Sequence, residues 1–296
     1  MCVALERGNV MAAGHSPTVR RRQLIAELKR LREAAGLTQD DVAQRLDWHH
    51  TKVFRIETGR TGPHPNDVRV MLDVYGVTNP VQREALVQLA KDARQRGWWY
   101  SYRDVLPSQY EFFIGLEAEA ASIQTFELAV VPGLLQTEDY ARALVRGGPL
   151  ELDVDEVDRR VEVRMTRQQV LAKQDRPQLW AILDESAIRR VVGGPAVMRA
   201  QLQHLAALSE QGKTTIQVVP YSVGAHPGTA ASFIILGFAE PGEIDVVYME
   251  TIGGNISVDK PEEVQHYATA FDHLRAVALS PDGTRAMLLA ASQALT

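Results

Sequence analysis

The sequence has little cysteine and no long apolar run. It holds one cysteine, Cys2, among 296 residues, which excludes a disulfide framework and is typical of proteins of the reducing cytoplasm. No apolar run approaches the roughly 18 residues that a membrane-spanning helix requires. The start of the chain also lacks the basic region and apolar stretch of a secretory signal. We therefore expect a cytoplasmic protein without a membrane segment.

Sequence patterns of enzymes and metal sites are equally scarce. There is no Gly-x-Ser-x-Gly nucleophile elbow, and the phosphate-loop-like residues 212–214 follow a predicted helix, with Ala207 in place of the first glycine. Asp184 and Glu185 end a predicted strand, where carboxylates more often cap a helix than catalyse. The second half has histidines without metal-ligand spacing, namely His204, His226, His266 and His273. We expect no enzyme, no cofactor and no metal.

Charge is unevenly divided along the chain. Residues 18–76 hold eleven Lys/Arg and eight Asp/Glu, a net charge of +3, whereas residues 118–296 hold fifteen and twenty-three, a net charge of −8. A weakly basic head on an acidic body fits contact with nucleic acid through the head alone. At 45% hydrophobic residues, the chain can bury more than one core, which predicts two domains.

The stretch from Leu37 to Gly59 has the pattern of two short helices joined by a tight turn. Thr38 is placed to cap the first helix, with Asp41 in the capping-box position. His49 is placed to cap the second helix, and Gly59 to end it. The outward face of the second helix carries side chains that burial does not require. A helix in the major groove needs such donors and acceptors, whereas an ordinary bundle would only expose them to solvent. These side chains are His50, Thr51, Phe54 and Arg55.

This pattern resembles the helix-turn-helix of the Cro/lambda-repressor (Xre) family. The matching residues are Leu37, Thr38, Gln39, Ala43, Leu46, Lys52, Arg55, Ile56, Glu57 and Gly59. Asp47 stands where the family has a glycine in the turn, and His49 and His50 stand where it favours other polar residues. The resemblance implies an all-α, lambda-repressor-like head of five helices that binds double-stranded DNA. Because one head covers a half-site, we expect a homodimer.

The resemblance also implies roles for individual residues. The expected DNA contacts are Gln39, His49, His50, Thr51, Lys52, Arg55 and Arg60. Arg32 and Glu57 fall at positions that form an ion pair between helix one and the end of the recognition helix. Arg55 is expected to read a base, because its planar fork fits the two acceptors of guanine. Lys52 is expected to contact mainly phosphate.

From about residue 107 the chain alternates helices with short β-branched runs. Helices are expected at residues 108–126, 137–146, 153–172, 195–211, 261–278 and 282–294. Strands are expected at residues 178–183, 215–219, 232–238 and 244–250, with a short return through 256–258. This predicts a mixed α/β domain with at least four strands. The aromatic cluster at residues 98–102 is expected to pin the preceding linker to that domain rather than to form a ligand cage.

The second half resembles a domain of unassigned function that follows Xre-type heads in many bacterial regulators. The resemblance rests on residues 131–137, VPGLLQT, followed by Tyr140 and Ala141. Further matches are Asp184, Glu185, Met198, Gln201, His226, Phe233, Tyr248, Glu250, Phe271 and Leu274. Members resemble transcription regulators, often encoded beside a small partner protein.

The sequence as a whole predicts a multi-domain transcription regulator that binds specific DNA sequences and is nucleoid-associated when bound. We expect a disordered tail at residues 1–17, the DNA-binding head at 18–76, a helical linker at 77–106 and an α/β regulatory domain at 107–296. The last domain is expected to contain a pocket or groove, and either to sense a small molecule or to dock a protein partner. Two alternatives stay open, an antitoxin-like partner-binding protein and a DNA-targeted enzyme with an unrecognised C-terminal active site.

Overall fold

The computed structural model describes residues 16–148, 151–210, 214–239 and 244–295. The chain forms two compact units, divided between Gly97 and Trp98. The predicted disordered tail lies outside the described residues, apart from its last two. Those two begin the first helix: Ser16 caps it by accepting a hydrogen bond from the Thr18 amide at 3.3 Å, and Pro17 is its first residue.

The first unit is a bundle of five helices, as the sequence predicts. They are α1 (Pro17–Ala34), α2 (Gln39–Arg45), α3 (His50–Glu57), α4 (Pro65–Val74) and α5 (Pro80–Asp92). All five contribute to one apolar core, whose fully buried members include Leu24, Leu28, Val42, Val53, Met71, Leu72 and Ala90. Since this core closes within residues 16–97, the unit has the burial that an independent small domain needs.

Helix α5 belongs to the head and not to a linker. Leu86, Val87 and Ala90 are buried in the same cluster as the residues of α1 and α4. A helix that only bridges two domains is polar all round, whereas these three residues give α5 an apolar face. The structure therefore divides the expected linker, residues 77–106, between the two units. Its last part, with the 3₁₀ turn Trp98–Tyr102, starts the second unit and packs beside α6 and α8, the first long helices of that unit (Ser108–Glu117 and Val154–Arg167).

The second unit is the predicted mixed α/β domain, built on a six-stranded sheet. Its strands are β1 (Ser122–Glu127), β2 (Gln178–Asp184), β3 (Thr214–Val219), β4 (Phe233–Gly237), β5 (Val246–Thr251) and β6 (Gly254–Val258). They lie in the order β3-β2-β1-β4-β5-β6, with β1, β2 and β3 parallel and the other neighbours antiparallel. The remaining helices are α7 (Glu138–Arg146), α9 (Glu185–Arg189), α10 (Pro195–Leu208), α11 (Pro261–Val277) and α12 (Pro281–Gln293).

The central strand β1 corrects the prediction of one long helix over residues 108–126. The helix α6 ends at Glu117, and residues 122–127 pair with β2 on one side and β4 on the other. The strand is short and has two neighbours that lie more than fifty residues away along the chain, so local pattern alone favours extending the helix. Because residues 122–127 pair with strands on both edges, they form a strand; tertiary context often overrides local preference in this way.

The two faces of the sheet have different coverings. Phe126, Ile235 and Val247 face the long helix α11, whose Phe271 and Leu274 complete this core. Alternate residues of a strand point to opposite faces, so Glu127, Tyr248 and Glu250 face the other side. There Tyr248 stacks on Phe113 of α6, with ring centroids 4.1 Å apart. Among all described helices, none has both the length and the apolar character needed to cross a membrane.

Candidate nucleic-acid interface and ligand cavity

The helix pair α2–α3 has the caps and the turn that the sequence indicates. The Asp41 amide donates to Thr38 Oγ1 at 3.1 Å and the Thr38 amide donates to Asp41 Oδ2 at 2.8 Å, which completes a capping box. The Thr51 amide donates to His49 Nδ1 at 3.4 Å. Asp47 turns the chain with a φ of 52°, the left-handed conformation that glycine adopts most readily and aspartate tolerates.

The structure brings the two residues of the expected ion pair together. Arg32 donates from Nε to Glu57 Oε1 at 2.7 Å and from a terminal nitrogen to Oε2 at 2.9 Å. Its other terminal nitrogen donates to the Leu37 carbonyl at 2.7 Å. The two side chains are only 9% and 2% exposed. This buried fork ties α1 to the end of α3 and to the start of the α2–α3 pair, so it fixes the direction in which α3 projects.

Six exposed residues form what we call the α3 surface, and they are His49, His50, Thr51, Phe54, Arg55 and Arg60. The rings of His49 and His50 lie 4.4 Å apart, and the Arg60 guanidinium lies 5.5 Å from the ring centre of Phe54. Phe54 is 41% exposed and adds an apolar side chain to this surface. The surface joins hydrogen-bonding groups, two cations and one apolar group, which are the elements of major-groove recognition.

The structure places Lys52 and Gln39, two other expected DNA contacts, in interactions within the head. Lys52 Nζ lies 2.9 Å from Asp67 Oδ1 and 3.6 Å from the ring centre of Trp48. The Gln39 amide donates to Glu57 Oε2 at 2.7 Å. Asp67 has no local sequence signal, because it lies fifteen residues from Lys52 on another helix. Contact of Lys52 and Gln39 with phosphate stays a prediction.

The second unit contains a cavity of about 510 Å³. It lies between α6, α8, the segment 131–137 and the β1–β4–β5 face. Its charged lining residues are Glu127, Arg160, Arg164, Arg167 and Glu250. Its apolar lining includes Val105, Leu106, Phe113, Val130, Leu144, Val145 and Ile234. The exposed lining residues Pro107, Gly148 and Glu250 mark its opening.

The segment 131–137 is a wall of this cavity, held by hydrogen bonds from several elements. The Val131 amide donates to the Tyr140 hydroxyl at 3.1 Å, and the Gln136 side chain donates to the Val131 carbonyl at 2.6 Å. Arg164 of α8 donates to Gln136 Oε1 at 3.0 Å. Gln201 of α10 accepts the Thr137 amide at 2.7 Å. The VPGLLQT signature therefore specifies a fixed wall against α8.

Arg167 is a buried residue of the cavity lining. It donates to both carboxylate oxygens of Glu117, at 2.8 and 2.7 Å, and it also contacts the Tyr110 hydroxyl. Burial acts to lower the pKa of Arg167, but Glu117 and Tyr110 together outweigh burial and raise that pKa. The Arg167 charge is thus matched within the protein by Glu117.

Two carboxyl groups lie in one row across the sheet. Phe126 pairs with Phe233, and Ile234 pairs with Tyr248. Continuing both registers by one residue places position 232 between Glu127 and Glu250. Burial, together with the Glu250 carboxylate, raises the pKa of Glu127 to about 8. Glu127 is therefore mostly protonated and neutral at pH 7.

A second cluster of polar side chains, Asp184, Glu185 and His226, lies at the end of β2, and its hydrogen bonds hold neighbouring elements together. Asp184 Oδ1 accepts the Ser186 amide at 2.8 Å and caps α9, as the sequence indicates. Its other oxygen lies 3.2 Å from His226 Nε2. Glu185 accepts the Tyr221 amide at 2.8 Å. In the described part of the chain, no three His, Cys, Asp or Glu residues group in a way that would hold a metal.

Comparison with known families confirms both resemblances. Residues 110–290, more than half of the chain, match the family described as a domain of unknown function (DUF5753), and this range contains the cavity wall at 131–137. Residues 23–86 match the family described as a helix-turn-helix domain, and this range contains the α3 surface. Comparisons with curated proteins and with solved structures find no match. The chain belongs to the family of the domain of unknown function (DUF5753), and it carries a helix-turn-helix DNA-binding head in front of that domain.

Proposed function

We propose that the protein is a sequence-specific transcription regulator, a homodimer that reads DNA with the α3 surface. The observation that carries this proposal is the exposed set of polar and apolar groups on a helix whose orientation is fixed by the buried Arg32–Glu57 pair. A rigid helix that presents such groups suits readout of base edges. Dimerisation follows from geometry, because a single head spans only a half-site.

The second unit, in this proposal, regulates the head by binding a small molecule in the cavity. A concave site with a mostly apolar lining and a few placed polar groups is the usual form of a small-molecule site. Enzyme chemistry is not favoured, since the described lining has neither cysteine nor histidine. Its one serine, Ser232, accepts the Leu128 amide at 2.9 Å.

A protein partner is the second candidate for the regulatory signal. Ile252 and Ile256 are exposed on the β5–β6 hairpin, and β6 is an edge strand. An exposed edge with apolar side chains suits pairing with another chain. In that case small molecules would leave DNA affinity unchanged, and substitutions on this hairpin would change it.

Removing the second unit tests whether the head alone binds DNA and whether the second unit is needed for tight binding. A fragment that ends at Gly97 should stay folded, because the core of the head closes within it. It should bind operator DNA at least tenfold more weakly than the full chain, since a monomeric head loses the second half-site. Circular dichroism checks the fold, and fluorescence anisotropy with labelled operator measures affinity. A folded fragment that binds as tightly and selectively as the full chain would refute a role for the second unit in dimerisation and regulation.

A further inference from the structure

The helix α8 presents three guanidinium groups to the cavity. Arg160, Arg164 and Arg167 follow one another at spacings of four and three residues, which places them on one face of a helix. Arg167 is neutralised by Glu117 at 2.7 Å. Within the described ranges, Arg160 and Arg164 form no ion pair, although Arg164 donates a hydrogen bond to Gln136. The helix wall of the cavity therefore carries two positive charges that no carboxylate of the described residues pairs.

Two buried polar groups that line the cavity have no hydrogen-bond partner in the described part of the protein. They are Arg160 Nε and the Tyr248 hydroxyl, and Tyr248 is only 1% exposed. A buried donor without an acceptor destabilises the folded state, so natural structures rarely leave one unless something else binds there. Arg160 Nε can only donate, so its missing partner is an acceptor, and the Tyr248 hydroxyl is able to donate to an acceptor as well.

The carboxyl groups of the cavity do not cancel its positive charge. Glu117 is already engaged by Arg167, and Glu250 is exposed at the opening. Glu127 lies deeper and is mostly neutral at pH 7 because burial and Glu250 raise its pKa to about 8. An anion that enters passes the Glu250 carboxylate at the opening and then meets two guanidinium groups and a protonated carboxyl.

The remaining walls are apolar and offer room for the body of an organic molecule. Phe113, Leu144, Val145 and Ile234 are among these wall residues. At about 510 Å³, the cavity is within the ordinary range for small-molecule sites. We propose that it binds an amphipathic organic anion, with a carboxylate held by Arg160 and Arg164, an apolar body, and a further acceptor towards Tyr248. This inference rests on the proposed function, whose effector it assigns to a chemical class.

Titration calorimetry of the full chain with 4-biphenylacetate tests the inference. We expect binding of the acid, and binding of the neutral 4-biphenylacetamide that is at least tenfold weaker, because only the acid can pair with both guanidinium groups. Arg160→Gln and Arg164→Gln should each weaken binding of the acid about tenfold or more. Arg146→Gln is the matched control: it removes an exposed arginine of α7 outside the lining and should leave the affinity unchanged.

The substitution Tyr248→Phe gives a second readout that does not depend on the arginine variants folding. It removes a hydroxyl that has no hydrogen-bond partner among the described residues, so the melting temperature of the ligand-free protein should stay the same or rise. Any ligand that uses the hydroxyl should bind more weakly.

Equal affinity for acid and amide, no binding of the acid at about 5 mM, or unchanged affinity in both folded arginine variants would overturn the inference. Binding with the expected selectivity but without an effect on operator affinity would support the inference and refute regulation through the cavity.

The affinity for the acid should fall as pH rises through the pKa of Glu127. With a pKa of about 8, Glu127 is neutral at pH 7 and ionised at pH 9, where it repels the ligand. The expected loss between these two pH values is about tenfold. The charged or titratable groups that interact with Glu127 are Glu250, Arg164 and Tyr140. Burial raises the pKa of Tyr140 above its ordinary value, so it does not titrate in this range. In Glu127→Gln the affinity should be independent of pH; a wild-type affinity that is equal at both pH values would refute this role of Glu127.

Discussion

Arg32→Ala is expected to lower the free energy of unfolding of the head by about 3–5 kcal/mol. The side chain makes two hydrogen bonds to Glu57 and one to the Leu37 carbonyl, and the pair is nearly inaccessible to water. Its removal leaves the Glu57 carboxylate buried without its cation, with the Gln39 amide as the one remaining donor among the described residues. A small domain has few kcal/mol to lose, so most of the variant should be unfolded or easily unfolded at 37 °C.

Chemical denaturation of the fragment that ends at Gly97, followed by tryptophan fluorescence, measures this change in the free energy of unfolding. Its only tryptophan is Trp48, which packs on the core of the head and lies beneath Lys52. Arg30→Ala is the matched control, because Arg30 pairs with Glu27 on the exposed side of the same helix. The control should leave the midpoint of denaturation essentially unchanged. A loss of less than about 1 kcal/mol in Arg32→Ala would show that the pair does not hold α3 in place.

Arg55→Ala is expected to weaken binding to the best operator by about 1–3 kcal/mol and to relax the preference at one base pair. Arg55 is exposed on α3, one turn after Thr51, and forms no ion pair among the described residues. Its guanidinium is therefore free to donate to the O6 and N7 acceptors of guanine. Its loss should not change binding to scrambled DNA to the same extent, because scrambled DNA offers no fixed base contact.

Lys52→Ala is the matched comparison on the same helix. If Lys52 leaves Asp67 to meet phosphate, its removal should weaken all sequences alike and reduce the salt slope by about one unit. Titrations of both variants against operator and scrambled DNA at several salt concentrations separate the two roles. Equal losses on both DNAs for Arg55→Ala would make Arg55 a phosphate contact, and α3 would then lie rotated in the groove.

The head was predictable because its signals are local. A four-residue capping box, an apolar face at helical spacing and a stop glycine specify α2 and α3 without reference to the rest of the chain. The end of the head was harder to place, because the three buried residues of α5 become recognisable as core only when α1 and α4 pack against them. The strand β1 was missed for the same reason, because its partners lie on distant strands.

The cavity was not predicted in detail, although some of the sequence segments that line it were recognised. The VPGLLQT segment was recognised as a signature, but its role as a wall depends on hydrogen bonds from Tyr140, Arg164 and Gln201. The two carboxyl groups Glu127 and Glu250 are more than a hundred residues apart, and only the sheet register brings them into one row. No rule based on spacing along the sequence predicts that these two carboxyl groups lie near each other.

Selection of bound fragments from genomic DNA by the purified full chain tests the central claim most directly. The account predicts enrichment of one short motif in two inverted half-sites, about one helical turn or a multiple of it apart. The same selection with Arg55→Ala should recover a motif that has lost its preference at one position in each half-site. Fragments that show no common motif, with the same recovery for wild type and variant, would contradict the reading of α3 as a sequence-specific recognition helix.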